Sequence, residues 1–414
     1  MKKLLVFTAL ATVLAASESF AAGFQLREQS AAAQGNAFAG ATAGAENPSY
    51  AFFNAAGLTR QKGLQVNVGG TYIAPEATAQ NIQGGVGERG EQHNIVHSAI
   101  APNGTVSYQL NDDTFLGMSV NSPFGMITKY NDDWAGAAHG NASRIHVITV
   151  TPMAAYKVTD KFSLGFGLPI EKIRARLTNK SLGNTQGTAV HGDTTDIGYQ
   201  LGAMYEFTDK TRVGIGYRSE MKHKIHGEME STAALPFMNQ DINADLDLPA
   251  TLSIGAYHEI NDKWAVMAEY QRTFWSSFDR LVFTGEERPG LSGYRLSTVY
   301  ENWRDTNFYA IGASYNIDNQ WKARFGLAYD QTAVKLANRT PRIPDSDRIW
   351  YSFGLGYQYN ERLSFDMAFT YIDAKDATVN TAVTQNGGNA LNPDVYVDYK
   401  NSVKMWGLSL NYKF

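Results

Sequence analysis

Residues 197–218 read IGYQLGAMYEFTDKTRVGIGYR, two alternating runs on either side of a short polar turn. In the first run the larger apolar side chains stand at odd positions from Ile197 to Phe207, mostly separated by glycine or polar residues. The second run repeats the pattern from Val213 to Tyr217. A period of two predicts strands with one apolar face and one small or polar face. The turn Thr208-Asp209-Lys210 then joins two antiparallel strands.

The same arrangement recurs along the chain, with turns about 50 residues apart. The turns are Asn111-Asp112-Asp113, Thr159-Asp160-Lys161, Thr208-Asp209-Lys210, Asn261-Asp262-Lys263, Asp318-Asn319-Gln320 and Asn360-Glu361-Arg362. The runs between them last about 9 to 12 residues, which suits a tilted strand that crosses a bilayer. Six short turns and seven longer connections predict a β-barrel of about 14 antiparallel strands, with both ends on one side. A β-propeller is the alternative, but its repeats need four short strands rather than two long ones.

The longer connections are polar and lie on the opposite side of the predicted barrel from the short turns. Asn179 to Asp196, Glu228 to Leu248 and Ala374 to Lys400 are predicted to be external loops. Aromatic residues cluster where the runs meet the turns, as in an interfacial girdle. They are Tyr156, Phe162, Phe207, Trp264, Trp321, Tyr357, Tyr359 and Tyr412. Short turns on one side and long loops on the other are typical of a Gram-negative outer-membrane barrel with a periplasmic N- and C-terminus.

The first 21 residues have the features of a secretory signal peptide. Lys2 and Lys3 precede an apolar run from Leu4 to Ala16, and Ser19-Phe20-Ala21 offers a cleavage site. A retained anchor is the alternative, although the run is short for a membrane-spanning helix. The sequence therefore predicts export to the periplasm, the cell exterior or the outer membrane.

Composition excludes several classes of function. The 414-residue chain has no cysteine, so disulfides and thiolate chemistry are excluded. A net charge of -4 argues against a nucleic-acid partner. His223 and His226 have a spacing that binds metals on helices, but their segment is predicted to be a strand. The sequence predicts neither a metal, a cofactor nor a catalytic site, and the protein is not expected to be an enzyme.

The N-terminal part of the mature chain, residues 22–62, has a different texture from the predicted barrel, residues 63–414. Residues 29–45 are rich in Ala and Gly and lack the alternation of the strands. The segment is either a disordered periplasmic extension or a compact hatch inside the lumen. We expect a hatch, because a barrel of this size would otherwise enclose a water-filled pore.

Several motifs resemble the FadL-type long-chain fatty acid transporters, a family that also includes channels for aromatic hydrocarbons. The mature start, Ala22-Gly23-Phe24-Gln25-Leu26, and the stretch Glu46 to Arg60 carry the resemblance in the predicted hatch. It continues through most of the mature chain in Ser122-Pro123-Phe124-Gly125-Met126, Asp133-Trp134-Ala135-Gly136, Gly214 to Ser219, Trp275 to Asp279, Asn302 to Thr306 and Arg342 to Arg348. Within the hatch motif the matching positions are Asn47, Pro48, Asn54, Ala55, Ala56 and Gly57. Asn54-Ala55-Ala56 departs from the Asn-Pro-Ala that is usual in the family.

The resemblance implies that a hydrophobic molecule enters from outside, binds beside the start of the hatch and leaves sideways at a kinked strand. Phe24 and Leu26 would then lie at the ligand. Pro123 cannot donate a ladder hydrogen bond, so Asn121, Ser122, Pro123 and Gly125 are expected to form the lateral gate. The alternative is that Pro123 simply ends a strand at an external loop.

A fatty acid carboxylate would need a cation in the apolar lumen, and Arg174 and Arg218 are the candidates. The alternative is that both arginines pair with lumenal acids. The expected function is passive uptake of long-chain fatty acids or similar hydrophobic molecules; an aromatic-hydrocarbon channel or a general porin are the alternatives. The expected partners are the hydrophobic ligand, outer-membrane lipid and lipopolysaccharide, and the barrel-assembly machinery.

Overall fold

The computed structural model describes residues 23–181, 186–232, 239–285, 295–390 and 392–414. The predicted signal peptide, residues 1–21, lies outside the described residues. Within the described ranges, no helix combines the length and apolar character that a membrane-spanning helix requires.

The described chain is dominated by strands. The strand segments are β1 (Leu64–Gly84), β2 (Ala99–Gln109), β3 (Thr114–Asn121), β4 (Gly125–Lys129), β5 (Ala142–Thr159), β6 (Phe162–Gly167), β7 (Ile170–Ser181), β8 (Gln186–Ile197), β9 (Gln200–Thr208), β10 (Thr211–Arg218), β11 (Met221–Ser231), β12 (Gln240–Leu248), β13 (Thr251–Glu259), β14 (Trp264–Thr273), β15 (Arg280–Gly285), β16 (Arg295–Tyr300), β17 (Thr306–Asn316), β18 (Trp321–Asp330), β19 (Arg348–Gln358), β20 (Leu363–Ala374), β21 (Ala377–Asn380) and β22 (Val395–Lys413).

The segments form one closed antiparallel barrel. β1 pairs with β22 over a long register that includes Gln65↔Lys413 and Thr71↔Gly407, so the first and last strands close the sheet. β3/β4, β6/β7, β8/β9, β10/β11, β12/β13, β14/β15, β16/β17 and β20/β21 each continue one another across a short break, giving 14 spanning strands. The predicted strand number and barrel class are therefore confirmed, and the propeller alternative is excluded. Closure leaves no sheet edge whose backbone groups would meet lipid.

The outer face carries an apolar belt. On β9 the side chains of Leu201, Tyr205 and Phe207 are exposed, whereas Gly202 and Met204 between them are buried on the lumenal side. The same alternation occurs around the barrel, and it turns large apolar side chains outward. In a soluble protein such exposure would be costly, but it is what a lipid-facing surface requires.

Two of the three predicted external loops are instead mostly strands. β7 and β8 stay paired from Ile170↔Ile197 to Ser181↔Gln186, and β11 pairs with β12 from Met221↔Leu248 to Met229↔Gln240. The prediction of loops at 179–196 and 228–248 is therefore wrong. Backbone pairing does not require apolar side chains, and above the membrane these strands no longer need an apolar outer face. The third region keeps a connection between β21 and β22, from Thr381 to Asp394.

Four short helical turns make up much of the N-terminal segment, residues 23–62. They are α1 (Ala31–Gly35), α2 (Ala41–Gly44) and two 3-10 helices, Pro48–Phe52 and Ala55–Arg60. The side chains of Asn47 and Asn54 cap the 3-10 helices by accepting hydrogen bonds from the amides of Ser49 and Ala56. Pro48 occupies a first-turn position that needs no N–H donor. The asparagines and the proline of the predicted hatch motif thus shape this segment locally.

The N-terminal segment packs against the inward faces of the strands with very close backbone approach. A Cβ atom at Gly202 would overlap the Asn54 side chain, one at Gly214 the Thr42 carbonyl, and one at Gly326 the backbone of Asn36. Small residues are therefore needed on both sides of this contact, which explains the Ala/Gly-rich composition of residues 29–45.

A buried ion-pair network ties the N-terminal segment to the barrel wall. The Arg324 guanidinium lies 2.8 Å from Glu46 of the segment and 3.0 Å from Asp366 on β20. Lys322 adds a contact of 3.3 Å to Glu46. Arg324 and Asp366 are almost inaccessible to solvent, so each depends on the other for charge compensation.

Replacing Arg324 by methionine should increase the flexibility of the N-terminal segment without unfolding the barrel. Glu46 and Asp366 would lose their buried counterion, at a cost of roughly 3–5 kcal/mol. Hydrogen exchange measured by mass spectrometry should therefore speed up in residues 31–60 and stay unchanged in β1 and β22. Lys404→Met, which breaks an exposed pair with Glu76, is the matched control. Equal exchange in all three proteins would contradict the anchoring role.

Candidate ligand cavities and a gap in the barrel wall

The β2–β3 ladder ends where the chain reaches Pro123. It runs from Gln109↔Phe115 to Asn103↔Asn121, after which β4 pairs with β5 alone. The next bridge across this part of the wall is Val96↔Thr128. Proline lacks the N–H that would continue the ladder. We call the unpaired stretch between these two bridges, residues 98–102 opposite 122–126, the ladder gap.

The N-terminal segment covers the ladder gap from the inside. The Leu26 amide donates to the Pro123 carbonyl at 2.7 Å, and the Gly125 amide donates to the Phe24 carbonyl at 2.9 Å. Gln25 and Phe124 face each other in an isolated antiparallel bridge. Backbone groups that β2 leaves unbonded are thus satisfied by the first described residues of the N-terminal segment.

One side chain of the N-terminal segment, Gln29, forms hydrogen bonds to residues at the ladder gap. Its side-chain carbonyl accepts from Asn121 at 3.1 Å and from the Ser122 amide at 3.2 Å, and its amide group donates to the Ser122 carbonyl at 2.7 Å. The Ser122 hydroxyl also donates to the Val147 carbonyl on β5 at 2.8 Å. Gln29 is fully buried, so it has no access to water in place of these bonds.

Phe24 sits in a box of aromatic rings. Its ring centroid lies 5.9 Å from that of Phe124, 5.1 Å from Trp275, 5.8 Å from Phe278 and 5.8 Å from Trp303. Trp275 and Phe278 come from the β14/β15 break and Trp303 from the β16/β17 break. Three motifs that are far apart in sequence therefore converge on Phe24, near the start of the N-terminal segment.

An apolar cavity lies on the external side of Phe24. The space between its walls is about 690 Å³, part of it open to solvent. Apolar residues of the strands and of the β14/β15 break dominate the lining, which also includes Glu301 and Arg342. The apolar residues are Phe24, Met126, Ile145, Ala175, Leu177, Val190, Ile225, Ile242, Ala244, Leu246, Phe278, Leu281, Phe283 and Ile343.

Arg342 places a half-buried cation at the wall of this apolar cavity. It donates to the Ala142 carbonyl and the Ser143 hydroxyl at 3.0 Å each and to the Thr178 carbonyl at 2.9 Å. These contacts use three of the five N–H donors of a guanidinium. Burial lowers the pKa of Arg342 to about 10, which still leaves it protonated at neutral pH. Glu301, also at the cavity, accepts a hydrogen bond from the Trp303 indole at 2.9 Å.

A second, more polar cavity of about 670 Å³ lies between the N-terminal segment and the ladder gap. Leu26, Pro123 and Phe124 line it together with Arg218, whose guanidinium stacks on Phe52 at 4.5 Å. Glu171 lies in the same wall. Phe24 and Phe124 stand between the two cavities, because Phe24 lines the first and Phe124 the second.

The ligand-binding and gate residues predicted from sequence lie in different places in the structure. Phe24 lines the apolar cavity, and Leu26, Pro123 and Arg218 line the second one. Asn121, Ser122 and Gly125 lie at the ladder gap.

The prediction that Arg174 lies in the lumen is wrong. It is exposed on the outer face of β7, opposite Ile173 and Ala175, and it reaches neither cavity. The physical reason is that the lumen, not the exterior, is the apolar side of β7. The sequence did not point to Arg342 or Gln29 as candidate site residues, although Arg342 is the first residue of the motif Arg342 to Arg348.

Comparison with known proteins agrees with this architecture. A family model described as outer membrane protein transport protein (OMPP1/FadL/TodX) matches residues 12–414. The chain belongs to this family. Its members are outer-membrane channels that transport hydrophobic compounds rather than enzymes, so the predicted class and location are confirmed.

Individual relatives show how far the likeness extends. A long-chain fatty acid transport protein of Escherichia coli O6:H1 is 28% identical over 448 residues, covering 98% of this chain and 97% of that protein. The crystal structure of a Pseudomonas aeruginosa FadL homologue has a TM-score of 0.85 and 25% identity, covering 95% of this chain and 100% of that one. The monoaromatic hydrocarbon channel CymD shares the fold, with a TM-score of 0.68 and 21% identity over 94% of this chain and 99% of its own.

Gln29→Ala should loosen the cover of the ladder gap. Three buried hydrogen bonds to the ladder gap would be lost, at roughly 1 kcal/mol each, together with a longer one to the Leu26 carbonyl. Exchange of the Leu26 and Gly125 amides, measured by NMR or mass spectrometry, should accelerate on the order of 100-fold if that loss is additive. Gln34→Ala is the matched control, because Gln34 is a buried glutamine bonded to Thr71 and Thr370 elsewhere in the wall. If both variants change the Leu26 amide equally, Gln29 has no special role at the gap.

Proposed function

We propose that this channel takes up long-chain fatty acids, binds them in the apolar cavity beside Phe24 and releases them sideways through the ladder gap. The observation that carries the proposal is an apolar cavity with the half-buried Arg342 guanidinium at its wall. A relative named for long-chain fatty acid transport, aligned over nearly the whole chain, supports the same substrate class.

The cavity suits the two parts of a fatty acid. Burying a methylene group contributes about 0.8 kcal/mol, so a long alkyl chain gains steadily from walls such as Met126, Ile145 and Leu246. The carboxylate gains from a guanidinium that retains donors for charge-assisted hydrogen bonds. Arg342 is therefore the first receptor for the headgroup, and Arg218 in the second cavity is a receptor further along the path.

The straight route through the lumen to the periplasm is blocked. Residues 31–60 pack against the inward faces of the strands below the cavities and are anchored by the Glu46–Arg324–Asp366 network. In this proposal residues 22–62 act as the hatch that closes the lumen to the periplasm. The ladder gap instead opens beside Ile100, an exposed residue of the apolar belt. An apolar ligand that leaves there passes directly into an apolar phase.

The substrate class can be tested on the purified barrel in detergent. Saturable binding of a labelled long-chain fatty acid is expected, and Arg342→Gln should weaken it at least about tenfold because a charge-assisted hydrogen bond contributes roughly 1.5–3 kcal/mol. The corresponding fatty alcohol should bind both proteins almost equally. Arg174→Gln serves as the control, since that side chain lies on the outer face. Unchanged fatty acid binding in the Arg342 variant would exclude Arg342 as the headgroup receptor.

A channel for aromatic hydrocarbons is the second candidate function, and the cluster of aromatic rings around Phe24 favours it. Trp275, Phe278 and Trp303 offer edge-to-face partners for a small aromatic ligand. Displacement of labelled fatty acid by toluene alone, with no effect of unlabelled fatty acid, would favour this candidate. Large, steady ion conductance in a planar bilayer without ligand binding would instead favour a general porin.

The lateral exit can be tested by a reversible lock. The chain has no cysteine, so Gln25→Cys with Phe124→Cys introduces a single pair, at positions that face each other across the antiparallel bridge. Oxidation should fix the N-terminal segment over the ladder gap and abolish fatty acid uptake by cells, and reduction should restore it. Fatty acid binding by the purified oxidised protein should persist.

The bridge Ala79↔Gln92 in the external region provides the control for the lock. Ala79→Cys with Gln92→Cys crosslinks a second isolated bridge that lies away from the ladder gap, so oxidation should leave uptake unchanged. Uptake that continues in the oxidised Gln25/Phe124 variant would show that the ligand does not leave through the gap.

A further inference from the structure

A buried histidine lies between two carboxylates in the barrel wall. The Nδ1 atom of His223 lies 2.7 Å from Asp196 Oδ2, and its Nε2 atom lies 3.1 Å from Glu171 Oε1. His223 and Glu171 are almost inaccessible to solvent, whereas Asp196 is half-buried. Ionised carboxylates only accept hydrogen bonds, so two ionised partners require an N–H donor at each ring nitrogen. These three residues, the carboxylate–histidine cluster, therefore hold a proton that can be exchanged.

Three strands bring the cluster together on the lumenal side. Glu171 on β7 follows the exposed Ile170 and pairs directly with Asp196 on β8, so both side chains point inward. His223 on β11 lies between two exposed lysines, Lys222 and Lys224, and also points inward. Because β8 pairs with both β7 and β11, the three side chains meet at one level of the wall. A purely structural cluster would do no more than hold these strands together.

Glu171 connects the cluster to the second cavity and to the ladder gap. It lines that cavity together with Arg218, Leu26 and Pro123. Its Oε2 atom accepts a hydrogen bond from the Thr149 hydroxyl at 2.6 Å. Thr149 is the partner of Asn121, the last residue of the ladder before the gap. A ligand whose headgroup reaches Arg218 therefore enters the cavity that Glu171 lines, next to the exit.

The exit requires a change in the charge of a fatty acid. Arg218 attracts the ligand as a carboxylate, but an ionised carboxylate that moves into an apolar phase loses its hydration without compensation. The neutral acid avoids most of this cost, and it is also no longer held by the guanidinium. Protonation in the second cavity would thus release the headgroup and prepare it for the bilayer in one step.

We propose that the carboxylate–histidine cluster donates a proton to the ligand carboxylate before the ligand leaves through the ladder gap. This inference rests on the proposed function. The proton on His223 Nε2 passes to Glu171, and the Glu171 carboxyl group gives a proton to an oxygen of the ligand. The ligand becomes a carboxylic acid, His223 becomes a neutral imidazole, and Glu171 is again a carboxylate. A proton from solvent then returns to His223 through the half-buried Asp196.

The surrounding charges favour this direction of transfer. Arg218 on β10 stabilises the ionised form of Glu171, while Asp247 on β12 adds negative charge near His223. Arg27 of the N-terminal segment lines the same cavity. The proton therefore stays on His223 while Arg218 has no ligand. An anionic headgroup at Arg218 cancels its attraction for the Glu171 carboxylate, which favours moving the proton to Glu171.

The test compares cellular uptake of a labelled long-chain fatty acid with that of the fatty alcohol of the same chain length. Glu171→Gln and His223→Asn should each lower fatty acid uptake on the order of tenfold or more, because a positioned proton donor is lost. Uptake of the alcohol, which needs no proton, should not change. In acidic medium, where the fatty acid is itself protonated, both variants should recover.

His139→Asn is the matched control, because His139 is half-buried and bonds to the Pro393 carbonyl in the external region, away from both cavities. It should take up both ligands like the wild type, and heat-modifiable gel mobility should show that every variant is a folded barrel. Normal fatty acid uptake by the Glu171 and His223 variants would overturn the proposal. So would an equal loss of acid and alcohol uptake, which a purely structural cluster would produce.

Fatty acid binding by the purified proteins separates this proposal from the proposed function. Saturable binding should persist in Glu171→Gln and His223→Asn, because the apolar cavity and Arg342 are unchanged. Absence of binding by the wild-type barrel would contradict the proposed function itself. Normal binding together with normal fatty acid uptake in both variants would overturn only the role of the cluster as a proton donor.

Discussion

Every backbone N–H and C=O group at membrane depth must find a partner within the protein, and the architecture of this channel follows from that constraint. The barrel meets it by closing β1 against β22. At Pro123 the ladder stops, and the carbonyl of Pro123 and the amide of Gly125 bond to Leu26 and Phe24 of the N-terminal segment instead. The N-terminal segment therefore satisfies, at this gap in the wall, backbone groups that β2 leaves without a ladder partner.

The same segment links the gap to the cavities. Phe24 lines the apolar cavity with its ring while its carbonyl accepts a hydrogen bond from the Gly125 amide, so one residue contacts both the cavity and the gap. The Glu46–Arg324–Asp366 network anchors the deeper part of the segment, and the Gln29 side chain is hydrogen-bonded to Asn121 at the edge of the gap. Two anchors of different chemistry therefore hold this segment, one in its deeper part and one at the ladder gap.

The apolar face of a strand changes sides along the barrel, and this limits what an alternating pattern can reveal. On β6, Leu164 and Phe166 face lipid, whereas on β7 Ile173 and Ala175 face the lumenal cavity. The pattern stays periodic with two residues per repeat, but its phase shifts between these strands. Arg174 was predicted to point inward and in fact lies exposed on the outer face of β7, because above the belt the exterior is aqueous and the lumen apolar.

The sequence by itself determined the class of protein, the number of strands and the break at Pro123. Strand alternation, short turns and a missing N–H are local properties that need no knowledge of distant residues. Only the tertiary structure decided which side chains meet: Gln29 with Ser122, Phe24 with Trp275 and Trp303, and Arg342 with the apolar cavity. Those contacts join residues more than 90 positions apart, and they depend on strand register and on where the lumen is apolar, which hydrophobic periodicity does not encode.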